Sequence, residues 1–551
     1  MIKKLLLLSA ATASLLATNG VNMIGTGTVS RSMGGTGVAF FSDGSGAIGK
    51  NPALMAEVKD SEVHLDVTYF SANVQTSSTD YMFLNETPAN PLYYNNAHPG
   101  YQSSANHLDT NFIPTMSYVT KYNDEWSLGF SMMGAAGMGV DYKDTGEGYY
   151  TDGTGQQSGG FAQRRMKSGM MLMKIIPAAS YRVDDTTFGF APVIGLGSMS
   201  INYDEAQTQA PKSGESVGYR NPDQSIHGGG NKSGLFGETN IGGPSLVPAL
   251  GYQMGVDIKV TDKLRMGATY QSSLTYKYKE VANFKQFGPH GMVNMANDYT
   301  HGYLQTIRTE TIQNNDNLIQ SIVNSSGGLI DEQSAKALVQ LMPTGLIGDS
   351  LDATDPNNLD DLTMEQPWEI AYGVGYELTD KVTVTADYRY IAWGLAEGYK
   401  DFGWENQSVY ALGFEFTPNK QFRFRGGYNY ADSPLKNTSG EIGSLLTDIQ
   451  GSLVFDQAVS MLNMTGFPAI ATTHFTLGAG YDFTENFTLD GAFMYSPTEE
   501  VVRSGSLLPG ASSLAGSQIP GGLTLPALDM DYEYKTKMEQ MTLSLGLNYT
   551  F

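Results

Sequence analysis

The chain has 551 residues, with 33 Lys and Arg against 56 Asp and Glu, and the formal net charge of -23 leaves no basic face for a nucleic-acid partner. It has no cysteine, which removes disulfides, thiolate metal sites and a cysteine nucleophile, and it has no internal run of about 20 apolar residues of the kind an α-helical membrane span needs. Gly (64) and Tyr (32) are abundant and point to turns, close-packed strands and aromatic girdles rather than helical bundles.

Residues 1–17 read as a signal peptide, with Lys3 and Lys4 ahead of a short apolar stretch opened by Leu5 to Leu8. Cleavage is placed after Ala17, with Ala13 as the alternative. Residues 18–60 follow as a Gly-rich segment in which neither helical nor strand periodicity is legible; eight glycines lie between Gly25 and Gly49, including Gly34, Gly35 and Gly37, and it closes on Asn51, Pro52 and Ala53. Such a segment cannot make a core of its own. Placed ahead of a long series of strands, it reads as a hatch or plug that other walls must hold.

Residues 61–551 carry the strands. Val63, Leu65, Val67 and Tyr69 share one face of the first. Alternating runs are then joined in pairs by short turns at Tyr122 to Glu125, Val183 to Thr186, Thr261 to Lys263, Thr379 to Lys381, Pro418 to Lys420 and Thr484 to Asn486. Six turns give twelve strands, and the first strand and the last, Met541 to Phe551, bring the total to fourteen. Long polar connections at about 77–110, 140–168, 204–245, 286–365, 434–470 and 501–534 occupy the other side. Short turns on one side, long loops on the other and one-sided stripes such as Trp126, Leu128, Phe130 and Met132 predict an all-β, closed antiparallel barrel in a membrane. The terminal Phe551 resembles the end of bacterial outer-membrane barrels. Asn317 to Leu346 and Ile442 to Met464 read as short amphipathic helices in the loops, either small satellite cores or an apolar landing surface.

The pattern Ser32-Met33-Gly34-Gly35-Thr36-Gly37, then Asp43 and Asn51-Pro52-Ala53, resembles the hatch of the outer-membrane long-chain fatty acid transporter family (FadL-like). Phe112 to Tyr118 and Trp126 to Gly137 resemble its second and third strands, and Gln366 to Glu369, Gly398 to Asp401, Arg425 to Tyr428 and Asp432 to Pro434 resemble later segments. The resemblance implies passive uptake of hydrophobic compounds, long-chain fatty acids or aromatic and aliphatic hydrocarbons, through a lumen pocket, hatch rearrangement and sideways exit beside a kinked third strand. Gly134, Gly137 and Gly139 are the counterpart of that kink; equally, they are glycines that let the barrel curve or the hatch approach. Arg389, Arg423 and Arg425 face inward, either pairing with neighbouring carboxylates or meeting a ligand head group. Met133 and other methionines line an adaptable pocket or pack against lipid.

Beyond substrate and outer-membrane lipid the sequence points to no partner, cofactor or metal, and to a monomer that is not an enzyme. A general diffusion porin is the alternative. A barrel lipase or protease built on His64 with Asp66 or His474 with Asp482 is the more distant one.

Overall fold

A computed structural model describes residues 19–79, 110–142, 165–204, 246–282, 360–436, 446–506 and 531–551, with short pieces between them. The signal peptide, most of the long connections and most of the expected 317–346 helices lie outside the described residues. Fourteen antiparallel strands close into a barrel: β1 Ser61–Thr79, β2 Thr110–Lys121, β3 Trp126–Tyr142, β4 Arg165–Val183, β5 Thr186–Asp204, β6 Val247–Lys259, β7 Leu264–Gln271, β8 Glu369–Thr379, β9 Val382–Ile391, β10 Gln407–Phe416, β11 Phe422–Ala431, β12 Thr473–Asp482, β13 Phe487–Ser506 and β14 Asp531–Thr550. Each pairs with its sequence neighbour, and β14 pairs with β1 from Thr550↔Glu62 to Glu533↔Thr79 to close the ring. All six short turns fall between strands as the sequence predicts.

The period of two decides what each strand shows to lipid. On β14, Leu543, Leu545, Leu547 and Tyr549 are exposed while Thr542, Ser544 and Gly546 face inward. Aromatic rings cluster on the outer wall: Tyr252, Tyr270, Trp368 and Tyr390 form a row with successive centroids 5.9, 6.5 and 5.6 Å apart, and Tyr549 with Phe551 sits at the short-turn end.

Two features of the long-loop side were not legible. The β7–β8 hairpin does not stop at Gln271↔Glu369; after a bend it continues as a separate two-stranded ribbon, Leu274–Ala282 paired with Asp360–Gln366, with a register shift between Tyr278 and Ala282, and its Leu274, Tyr276, Tyr278 and Leu362 are buried. A seventh connection, residues 392–406 between β9 and β10, carries the short 3-10 turn Trp393–Leu395 and the buried Tyr399, Phe402 and Trp404. The expected helix within Ile442 to Met464 is shorter: α-helix Asp456–Met461 runs into a π-helical turn Leu462–Gly466.

Inside the barrel, residues 19–58 are almost wholly buried. They hold α1 Gly27–Ser32, α2 Gly44–Lys50 and a 3-10 helix Pro52–Glu57. Periodicity missed these helices because they are only six or seven residues long, and helices this short are marginal without tertiary support. Local capping fixes the starts of α2 and the 3-10 helix. The Asp43 carboxylate accepts from Gly46 N at 2.7 Å, and Asn51 Oδ1 accepts from Ala53 N at 3.1 Å with Pro52 at the first position.

Gly34, at φ +69, lies so close to the wall that a Cβ would stand 2.6 Å from the Leu412 and Tyr428 carbonyl oxygens. Gly403 shares a positive φ of +72 but has open space around it. Gly34→Ala should therefore combine left-handed strain with overpacking and cost about 1–3 kcal/mol more than Gly403→Ala. The midpoints of denaturant unfolding of the refolded barrels check this; equal shifts would mean that the lumenal segment does not depend on this close approach.

Candidate functional site

The third strand gives up one neighbour part-way along. β2 and β3 pair from Lys121↔Ser127 to Thr115↔Met133 and no further, whereas β3 stays paired with β4 to Tyr142↔Met166. A bulge between Gly134 and Ala136 in the β3–β4 ladder marks the place where β3 departs. The backbone groups freed there are taken up from inside: Met23 N donates to Ala135 O at 3.3 Å, Gly137 N donates to Val21 O at 3.0 Å, and Asn22 bridges to Ala136.

The glycines of this stretch have separate geometries. A Cβ on Gly134 would meet Ile113 Cγ2 at 2.5 Å, and one on Gly139 would meet Ser168 O at 2.5 Å. Gly137 contributes its N–H to the lumenal segment.

Beside the bulge lies a cavity of about 90 Å³, lined by residues of 19–26, by Met133, Gly134 and Ala135, and by Lys50, Lys174, Gln271, Glu369, Asp387 and Arg389. Its polar groups are cross-linked. Asn22 Nδ2 donates to Glu369 Oε1 at 2.9 Å, Gln366 Nε2 donates to Asn22 Oδ1 at 2.5 Å, Arg389 pairs with Glu369 at 3.3 Å, and Lys174 Nζ donates to Gln271 Oε1 at 2.6 Å. Asp387 Oδ2 accepts from Gly37 N and Val38 N at 2.8 and 3.1 Å, tying the middle of the lumenal segment to β9. Desolvation within the lumen, with Arg389 close by, pulls the Lys50 ammonium down to about 7 against the opposing pull of Asp387 and Glu369.

A second cavity, about 30 Å³, is almost entirely apolar. Met138, Met170, Met199 and Met364 line it together with Tyr399, Phe402, Trp404 and residues of the π-helical turn. Thioethers and rings make a wall that re-packs around ligands of different shape. Asn463 anchors the turn, accepting from Trp404 Nε1 at 3.2 Å and donating to Phe402 O at 2.6 Å.

Of the residues singled out in the sequence, Arg389 and Met133 line the first cavity. Arg423 pairs with Asp482, and Arg425 bridges Glu415 and Asp490 at 2.6 Å each, near the short-turn end and away from both cavities. Asn51 Nδ2 donates to Val38 O at 2.7 Å and Val256 O at 3.0 Å, while Pro52 and Ala53 press on β5 at Gly189. Gly35 packs on Ile24. His64 and His474 are fully buried, and among the described residues no group of His, Asp and Glu is arranged to hold a metal ion. Sequence reading missed Asn22, Lys50, Lys174 and the 392–406 aromatics. The last had a signal: two of the four tryptophans stand within twelve residues in a connection between strands.

A family model described as outer membrane protein transport protein (OMPP1/FadL/TodX) matches residues 6–443. Outer membrane protein P1 of Haemophilus influenzae is 21% identical over 499 residues, covering 89% of this chain and 90% of that protein. Among solved structures, a Pseudomonas aeruginosa FadL homologue superposes with a TM-score of 0.54 at 14% identity, covering 97% of this chain and 100% of that one. The Pseudomonas putida toluene transporter TodX gives 0.51 at 14% identity with the same coverage. At such identities the two structures speak for the fold alone.

The lowered Lys50 value has a signed consequence. Between about pH 7 and the ordinary lysine value the unfolded chain binds a proton at this residue that the folded chain does not, so stability rises with pH across that window. Lys50→Met should flatten this rise in denaturant titrations of the refolded barrel. A slope unchanged by the substitution would show that Lys50 is solvated in the folded protein.

Proposed function

The chain belongs to the OMPP1/FadL/TodX family of outer membrane transport proteins, and we propose that it takes up hydrophobic small molecules passively, with residues 18–60 as the hatch and the wall beside β3 as the exit. The observation that carries this reading is the end of the β2–β3 ladder at Thr115↔Met133, where the hatch supplies the missing backbone partners. A long-chain fatty acid or an aromatic or aliphatic hydrocarbon enters the apolar cavity, where burial of its surface favours binding. It passes to the cavity beside the bulge, and it leaves sideways once residues 19–26 withdraw. Lateral exit spares the molecule a passage through water.

The distribution of bonds supports withdrawal of residues 19–26 rather than of residues 27–58. Residues 27–58 are pinned around the barrel: Arg31 pairs with Asp66 on β1, Gly34 N donates to Thr476 on β12, Thr36 bonds Thr385 on β9, Ser45 bonds Ser117 on β2, and Glu57 pairs with Arg182 on β4 and Arg265 on β7. Residues 19–26 are held chiefly through Asn22 and the bulge. Fewer ties give a lower cost of local release.

Valine at 134 must displace Ile113, and valine at 137 stiffens the segment that receives Val21. With an overpacking penalty of about 1–2 kcal/mol, Gly134→Val with Gly137→Val should lower hydrocarbon or fatty acid uptake into liposomes roughly tenfold. Correct insertion is checked by the heat-modifiable gel shift of the folded barrel. Undiminished uptake through an inserted double variant would remove the lateral exit, and passage of small hydrophilic solutes through the parent protein would favour a porin.

A further inference from the structure

Three aromatic rings link the apolar cavity to Gly20 of the hatch. Trp393, Tyr399 and Trp404 pack edge to face with centroids 4.6, 5.1 and 4.8 Å apart. Tyr399 and Trp404 line the apolar cavity, and Tyr399 Oη lies 3.5 Å from the Met170 sulfur. Trp393 faces the other way. It is fully buried, its Nε1 donates to Gln407 Oε1 at 3.3 Å, and its ring lies directly on Gly20 of the hatch. Gly20 has φ +65, and a Cβ there would stand 2.8 Å from Trp393 Cζ2. Two residues further on, Asn22 holds Glu369 and Gln366, and Val21 and Met23 cover the bulge. Thus one rigid ring stands between the place where a hydrophobic molecule binds and the stretch of hatch that covers the exit.

We propose that Trp393 is a positioning residue that reports occupancy of the apolar cavity to the hatch: a ligand that displaces Tyr399 or Trp404 shifts the Trp393 ring against Gly20 and lifts residues 19–26 from β3. The inference rests on the transport reading above and adds to it the element that ties binding to release. Close packing is what transmits the shift, because the three rings leave no room for one to move alone. Glycine at position 20 is the condition for the resting state: only without a Cβ does the hatch lie flat on the ring. The neighbouring polar ties at Asn22 set how large a push is needed.

Because the chain has no cysteine, Val21→Cys makes a single-thiol reporter at a fully buried position whose carbonyl accepts from Gly137 N. Its rate of maleimide labelling in the refolded full-length barrel is measured with and without lauric acid and with and without toluene, alongside equilibrium binding and liposome uptake of the same two probes. In the Val21→Cys parent, at least one probe should speed labelling roughly tenfold, as for release of a minor open state. Adding Trp393→Phe should leave binding of that probe within about twofold but remove most of the acceleration, a split that a merely structural role does not give. Adding Gly20→Ala should give fast labelling without any probe, since the new Cβ pushes the hatch off the ring. The gel shift confirms that each variant is folded. The coupling is overturned if Trp393→Phe labels as probe-dependently as the parent, or if Gly20→Ala labels as slowly as the parent without probe. If the parent carries a probe into liposomes while labelling ignores it, transport stands and the coupling falls; if labelling responds but no probe crosses, the coupling stands and the transport reading falls.

Discussion

A strand edge in hydrocarbon has no water to satisfy it, and each unpaired amide or carbonyl there costs several kcal/mol. That constraint governs this molecule more than any single side chain does. Where β3 parts from β2 above Met133, its backbone must find partners elsewhere, and the partners come from Val21 and Met23 inside the lumen. The same segment therefore completes the wall and covers the weak place in it. The rest of the lumenal segment follows from this double duty, since a segment that stands in for a strand must be held at a fixed height, and the ion pairs of Arg31 and Glu57 hold it there.

The two cavities divide the interior by chemistry. Thioethers and rings surround one, and amides, carboxylates and ammonium groups surround the other. An apolar surface finds contact partners in the first and faces polar groups in the second, most of them paired with one another. In the proposed route, this difference favours movement onward into lipid over a long stay beside the bulge. Bonding among Asn22, Gln366, Glu369 and Arg389 makes the second chamber a junction in which the hatch, the wall and the inward hairpin meet.

The barrel was legible because its signals are local. Alternation along Leu543 to Tyr549, six short turns and a terminal aromatic each depend on residues close in sequence, and they yield strand number, facing and closure. The site was not, because its contacts join distant parts of the chain: Asn22 with Glu369, Gly37 with Asp387, Gly20 with Trp393. Inward-facing Arg423 and Arg425 were placed on the correct face, but only the folded chain shows which carboxylates they meet. Helices α1 and α2 escaped for a related reason, since the forces that shape them come from the wall rather than from their own sequence. Within the 392–406 connection only Gly398 to Asp401 was picked out, as a segment resembling the family, and not the rings of Trp393, Phe402 and Trp404.

The inward continuation of the β7–β8 hairpin has a mechanical meaning. The pairing offset of Gln271↔Glu369 is resumed at Leu274↔Gln366 after the bend, so the roof that contributes Leu362 and Met364 to the apolar cavity continues the hairpin of the wall below it. A roof built from loops could fray on its own. This one is tied at its base to the β7–β8 ladder in the barrel wall, which in the proposed route makes it the fixed ceiling and residues 19–26 the moving floor.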